Sequence, residues 1–120
     1  MKTVLIADDK ATSRELVRTV LENSGYTVVE ASDGIEALQN ARASKPDLII
    51  LDLHMPGLDG FGVVREIRRD KDLASTPVMA LTASAMQGDR ERAISAGFTS
   101  YIAKPIQLSA LRSEVQRMLE

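Results

Sequence analysis

Five short apolar runs, each followed by a segment of helical periodicity, constrain this chain more than anything else in its sequence. Residues 3–7 (TVLIA), 27–30 (TVVE), 48–52 (LIILD), 78–82 (VMALT) and 100–103 (SYIA) read as strands. The third run has no polar alternation, which fits a strand covered on both faces. The first helical segment opens on a Thr12/Glu15 capping box, carries an apolar stripe of Leu16, Val17, Val20 and Leu21, and stops at Gly25. The second places Ile35, Leu38 and Ala41 on one face; the third and fourth span Phe61 to Arg69 and Ala85 to Ala96. The last buries Leu108, Leu111, Val115 and Met118 at a 3.6-residue period. Strand and helix in strict alternation predict an α/β domain: a parallel sheet with helices on both faces and right-handed crossovers.

The chain has 120 residues, which predicts one domain over 1–120 with a core large enough to need no staples. Apolar residues make up 44% and charged residues 27%, an ordinary globular mix, and the net charge of -2 leaves no electrostatic footprint for nucleic acid. The absence of cysteine excludes disulfides and thiol chemistry. No apolar run approaches the roughly 18 residues of a membrane span, and the apolar stretch before Asp8 is too short for a secretory signal. The expected setting is cytoplasmic, with neither nucleic acid nor membrane as a partner.

In a parallel sheet of this kind, ligands bind beyond the carboxyl ends of the strands, where the strand order reverses. The first strand ends in Asp8 and Asp9, the third in Asp52, the fourth in Thr82, and the fifth in Lys104-Pro105. One sheet edge therefore collects three acids, a hydroxyl and an ammonium. Two carboxylates about 5 Å apart repel by about 3 kcal/mol at an effective dielectric of about 20. Three such pairs approach the net stability of a whole domain, about 5–15 kcal/mol. Such a site must stay wet, hold a proton or bind a cation. Clustered oxygens suit a hard divalent ion, Mg²⁺ or Mn²⁺, and Mg²⁺ commonly bridges carboxylates to phosphoryl oxygens. Lys104 is then a point charge for phosphate, Thr82 a hydroxyl donor, and Asp52 the candidate nucleophile. Taken singly, each residue has an ordinary role as turn former, helix cap or solvated side chain; the convergence carries the inference.

These residues fall in motifs: the acid pair at 8 and 9, LDLHMPGLDG at 51–60, ALTA at 80–83 and YIAKP at 101–105. In their order and spacing the chain resembles, end to end, the CheY-like receiver domain of two-component response regulators. In style it is closest to single-domain regulators and the receivers of hybrid histidine kinases. The resemblance implies a flavodoxin-like (βα)5 three-layer sandwich with strand order 2-1-3-4-5. It implies a phosphoacceptor switch rather than an enzyme, with at most self-dephosphorylation. Asp52 would take a phosphoryl group from the phosphohistidine of a histidine kinase or phosphotransfer protein. Asp9, Asp52 and the backbone carbonyl of His54 would bind Mg²⁺ directly, Asp8 largely through water. Thr82 and Lys104 would sense the phosphoryl oxygens, and Tyr101 would turn inward as Thr82 moves. Lys104-Pro105 would be a cis peptide bond, and His54 and Ser84 would tune the phosphoryl lifetime. A downstream effector would read the face of the fourth helix, fifth strand and fifth helix, and the chain would be a monomer or a phosphorylation-dependent dimer.

Lys10 departs from the family pattern, in which an uncharged or acidic residue usually follows the acid pair. It is expected to point into solvent; the alternative is that it partly neutralises the acids and weakens Mg²⁺ binding. Two rivals fit the residues poorly. A phosphatase of the haloacid dehalogenase type needs a second Asp where this chain has His54, and a flavin phosphate would be repelled by the acid pair. A third, a receiver fold kept only as a docking module, is at odds with Asp52, Thr82 and Lys104 all being in place. No DNA-binding or catalytic segment follows residue 120, so either a stand-alone regulator or the receiver of a longer protein is expected.

Overall fold

The computed structural model describes residues 1–82 and 87–120. The elements alternate as the apolar runs require: β1 (Thr3–Ala7), α1 (Ala11–Asn23), β2 (Thr27–Ala31), α2 (Gly34–Ser44), β3 (Leu48–Asp52), α3 (Gly60–Arg69), β4 (Val78–Thr82), α4 (Gln87–Ala96), β5 (Ser100–Ala103) and α5 (Leu108–Leu119). All pairings are parallel, in the order β2-β1-β3-β4-β5. The order reverses beside β1, so β1 and β3 lie together at the centre and their ends define the ligand-binding edge.

Side chains alternate across the sheet and split the core in two. Leu5, Ala7, Ile49, Leu51, Val78 and Ala80 face α2, α3 and α4, meeting Ala37, Val63, Ile67 and Ala93. Val4, Ile6, Leu48, Ile50, Met79 and Leu81 face α1 and α5, meeting Val17, Leu21, Leu111 and Val115. Every residue of β3 and β4 is buried, which is why neither run shows a polar alternation. Each fully buried Leu or Ile contributes about 1.5–3 kcal/mol, so these two strands anchor the sheet.

The helices correct several expectations. α1 begins at Ala11, one residue before the expected start, so Thr12 lies inside the first turn and no side-chain cap forms. The Asp8 carboxylate, which accepts the Lys10 N–H at 2.9 Å, closes that turn in place of a Thr12/Glu15 box. Leu16 is 44% exposed and Ile35 56%. The buried faces are instead Val17, Val20 and Leu21 in α1, and Gly34, Ala37, Leu38 and Ala41 in α2. A step of one residue turns a helix by about 100°, which carries Leu16 and Ile35 away from the sheet. In α5, Leu111 and Val115 are buried, while Leu108 is 37% exposed and Met118 only partly covered. The capping box belongs to α2: Asp33 accepts the Glu36 N–H at 2.8 Å and Glu36 accepts the Ser32 N–H at 2.8 Å. β2 runs one residue past Glu30, to Ala31. The expected start of the fourth helix at Ala85 lies outside the described residues, as does Ser84.

Candidate functional site

Strand register builds the site. Ala7 lies opposite Leu51, so Asp8 follows β1 where Asp52 closes β3. Thr82 pairs with Ala103, and the next residue, Lys104, donates its N–H to the Thr82 carbonyl at 2.7 Å. Lys104 Nζ then spans the gap, 3.1 Å from Asp8 Oδ2 and 3.4 Å from Asp52 Oδ2. The Lys104-Pro105 peptide bond is cis.

Asp8 and Thr82 are fully buried, Asp52 nearly so, and Asp9 is exposed. Carboxylate oxygens of Asp8, Asp9 and Asp52 lie within 4.8 Å of one another. Oxygens bound to one Mg²⁺ at about 2.1 Å stand no more than about 4.2 Å apart, so the trio needs only small adjustments to share such an ion. The donor set, all oxygen and open to solvent at Asp9, suits Mg²⁺ or Mn²⁺. The His54 N–H donates to Asp52 Oδ1 at 3.1 Å, and the His54 side chain is exposed.

Burial pushes the Asp52 carboxyl above its ordinary range, and the neighbouring Asp8 pushes it the same way; the His54 N–H and the Lys104 charge only partly offset this. For Lys104, burial alone would lower the ammonium. The hydrogen bonds and charges of Asp8 and Asp52 outweigh it and raise the group. The site is thus a pair of buried carboxylates held together by one ammonium. In this state the partners that a metal or phosphoryl group would take are engaged with one another.

Lys10 is exposed and, among the described residues, forms no ion pair with the acids; only its backbone N–H meets Asp8. Tyr101, half-buried in β5, packs against the α2–α3–α4 side of the core. Sequence reasoning missed Arg14, whose Nη1 donates to the Asp8 carbonyl at 2.8 Å while its Nε meets Glu30 at 3.1 Å. Its only sequence signal was a cation on the first turn after the acid pair.

This geometry can be set beside known proteins. The sequence profile of the response regulator receiver domain matches residues 4–116.

The chain belongs to the response regulator receiver family.

The polar-differentiation response regulator DivK of Brucella anthropi is 40% identical over 107 residues, 89% of this chain and 87% of that protein. The chemotaxis protein CheY4 of Vibrio cholerae superposes with a TM-score of 0.93 at 34% identity, covering 99% of each chain. The receiver domain of the sensor histidine kinase PA1611 of Pseudomonas aeruginosa has a TM-score of 0.91 at 36% identity, covering 98% of this chain and 97% of that one. That structure holds a magnesium ion coordinated in the active-site cleft. Receiver domains are phosphoacceptor switches of two-component signalling, working between histidine kinases and downstream effectors, and bind Mg²⁺ in an acidic pocket. The acid trio here is a pocket of that chemistry. No described helix is long and apolar enough to cross a membrane.

Proposed function

We propose that residues 1–120 form one receiver domain in which Asp52 accepts a phosphoryl group from the phosphohistidine of a histidine kinase or phosphotransfer protein. The observation that carries this reading is the Lys104 ammonium shared between Asp8 and Asp52, with Asp9 within metal-binding reach. An Asp52 oxygen attacks phosphorus, the P–N bond breaks, and its electron pair stays with the donor imidazole. Asp9, Asp52 and the His54 carbonyl would hold the Mg²⁺, with Asp8 acting through water. When bound, a divalent ion there would supply positive charge to offset that of the phosphoryl group.

Phosphorylation puts about -2 charge where one carboxylate stood. Lys104 leaves its two-acid bridge to follow that charge, Thr82 is drawn toward the phosphoryl oxygens, and Tyr101 moves into the space beside it. The face formed by α4, β5 and α5 then presents a different surface to an effector protein. Driving such a switch from 1:99 to 99:1 takes about 5.5 kcal/mol, within reach of a few charge-assisted hydrogen bonds and a metal contact. His54, which is exposed, and Ser84 stand two residues after Asp52 and Thr82 in the sequence and tune water attack on the phosphoryl group, so turnover is limited to self-dephosphorylation. The working setting is the cytoplasm, as a monomer or a phosphorylation-dependent dimer.

Incubation with acetyl phosphate and Mg²⁺ tests this by intact mass. The parent gains one phosphoryl group and Asp52→Asn gains none. Labelling of Asp52→Asn at the parental rate overturns the assignment.

A further inference from the structure

Arg14 lies behind the acid pair, one layer removed from it. Its guanidinium has two separate engagements: Nη1 donates to the Asp8 carbonyl oxygen at 2.8 Å, and Nε donates to Glu30 Oε1 at 3.1 Å. The side chain is only 19% exposed. Its acceptor matters, because the Asp8 carbonyl belongs to the planar peptide that leads into Asp9, so holding that oxygen sets the plane from which the Asp9 backbone departs. Among the described residues, nothing restrains the Asp9 side chain. It is exposed, and no hydrogen bond among the described residues holds its carboxylate. Asp8, by contrast, is fastened by the Lys10 N–H and the Lys104 ammonium.

Glu30 is itself fixed. Arg18 Nη1 donates to its other carboxylate oxygen, and Asn40 Nδ2 in α2 donates to its backbone carbonyl at 2.9 Å. A continuous path therefore runs from α2 through β2 and α1 to the peptide between the two acids. Because Glu30 balances its charge, Arg14 adds rigidity without adding a net cation beside the metal-binding oxygens. Only a planar fork with separate donors serves two acceptors in fixed directions.

We propose that Arg14 is a positioning residue for the divalent-cation site, orienting the Asp8–Asp9 peptide so that the Asp9 carboxylate is preorganised toward Asp52. The proposal rests on the reading of Asp9 and Asp52 as cation ligands. Supporting contacts of this kind typically change metal affinity about 10- to 100-fold when removed.

The test is a Mg²⁺ titration of the ¹⁵N-labelled full chain by NMR, reading Kd from the Asp9 and Asp52 amides, with thermal unfolding in EDTA run on each variant. Arg14→Gln raises the Kd about tenfold. At saturating Mg²⁺ the same variant regains the parental rate of labelling by acetyl phosphate. Arg18→Gln, which loosens Glu30 but leaves the Asp8 carbonyl bond, keeps the Kd within about twofold. Arg14→Lys, with one nitrogen in place of the fork, falls between parent and Arg14→Gln. A parental Kd in a folded Arg14→Gln overturns the proposal, as does an equal loss in Arg18→Gln. Should Arg14→Gln melt too low to titrate, a parental Kd in Arg14→Lys overturns it instead. A parent with no saturable Mg²⁺ response overturns the ligand reading itself, a result distinct from a binding parent with an indifferent Arg14.

Discussion

Asp52 holds its proton more tightly in the fold than in the unfolded chain, because burial, with the neighbouring Asp8, disfavours the carboxylate more than Lys104 and the His54 N–H favour it. For a carboxyl raised in this way, the native state binds more protons than the unfolded state between the two pKa values. Its contribution to stability is complete below the ordinary carboxylate pKa and is lost as pH rises through the folded value. An amide keeps the neutral shape without the charge. Asp52→Asn is therefore more stable than the metal-free parent at pH 7, and the gap closes as pH falls toward about 4. Urea unfolding of both proteins in EDTA across that range measures it; a gap that stays constant or widens at low pH contradicts the charge balance described here. Lys10, by contrast, is exposed and forms no ion pair with the acids among the described residues, so the +1 charge that the sequence sets beside Asp9 is not bonded to either carboxylate.

At the scale of elements, the loop after β3 is seated on the start of α2. A Cβ on Gly34 would stand 2.0 Å from the Leu58 carbonyl oxygen, so the two backbones touch where any other residue would force them apart. Gly34→Ala must displace the segment that carries His54 and leads from Asp52 into α3. The expected cost is about 1–3 kcal/mol, read as a lower urea midpoint; an unchanged midpoint rules the contact unimportant. This contact was invisible in the sequence, where Gly34 reads only as a residue near a helix start. The faces of α1 and α2 were similarly underdetermined. Leu16 and Ile35 fit an apolar stripe as well as their neighbours do, and only the angle at which each helix meets the sheet turns them outward. The strands were far more legible, because an unbroken run such as LIIL, set between helical segments, fits a strand covered on both faces of a parallel sheet.

Across the whole molecule, topology explains why so much of the candidate site is legible in the sequence. Every residue singled out at a strand end stands at one edge of one sheet, since parallel strands send their carboxyl ends the same way. That rule joins Asp8, Asp52, Thr82 and Lys104, although 96 residues separate Lys104 from Asp8. It could not supply the Arg14 contact, which depends on how α1 rolls against Glu30 in β2. The central claim is that one edge converts phosphorylation at Asp52 into a change on the α4–β5–α5 face. Titrating beryllofluoride, a mimic of the acyl phosphate, into the ¹⁵N-labelled chain tests it most directly. The expected result is saturable shifts that require Mg²⁺, centred on Asp52, Thr82 and Lys104, extending to Tyr101 and α5, and absent from Asp52→Asn. Spectra that do not respond to beryllofluoride with Mg²⁺, or that respond equally in Asp52→Asn, would contradict it.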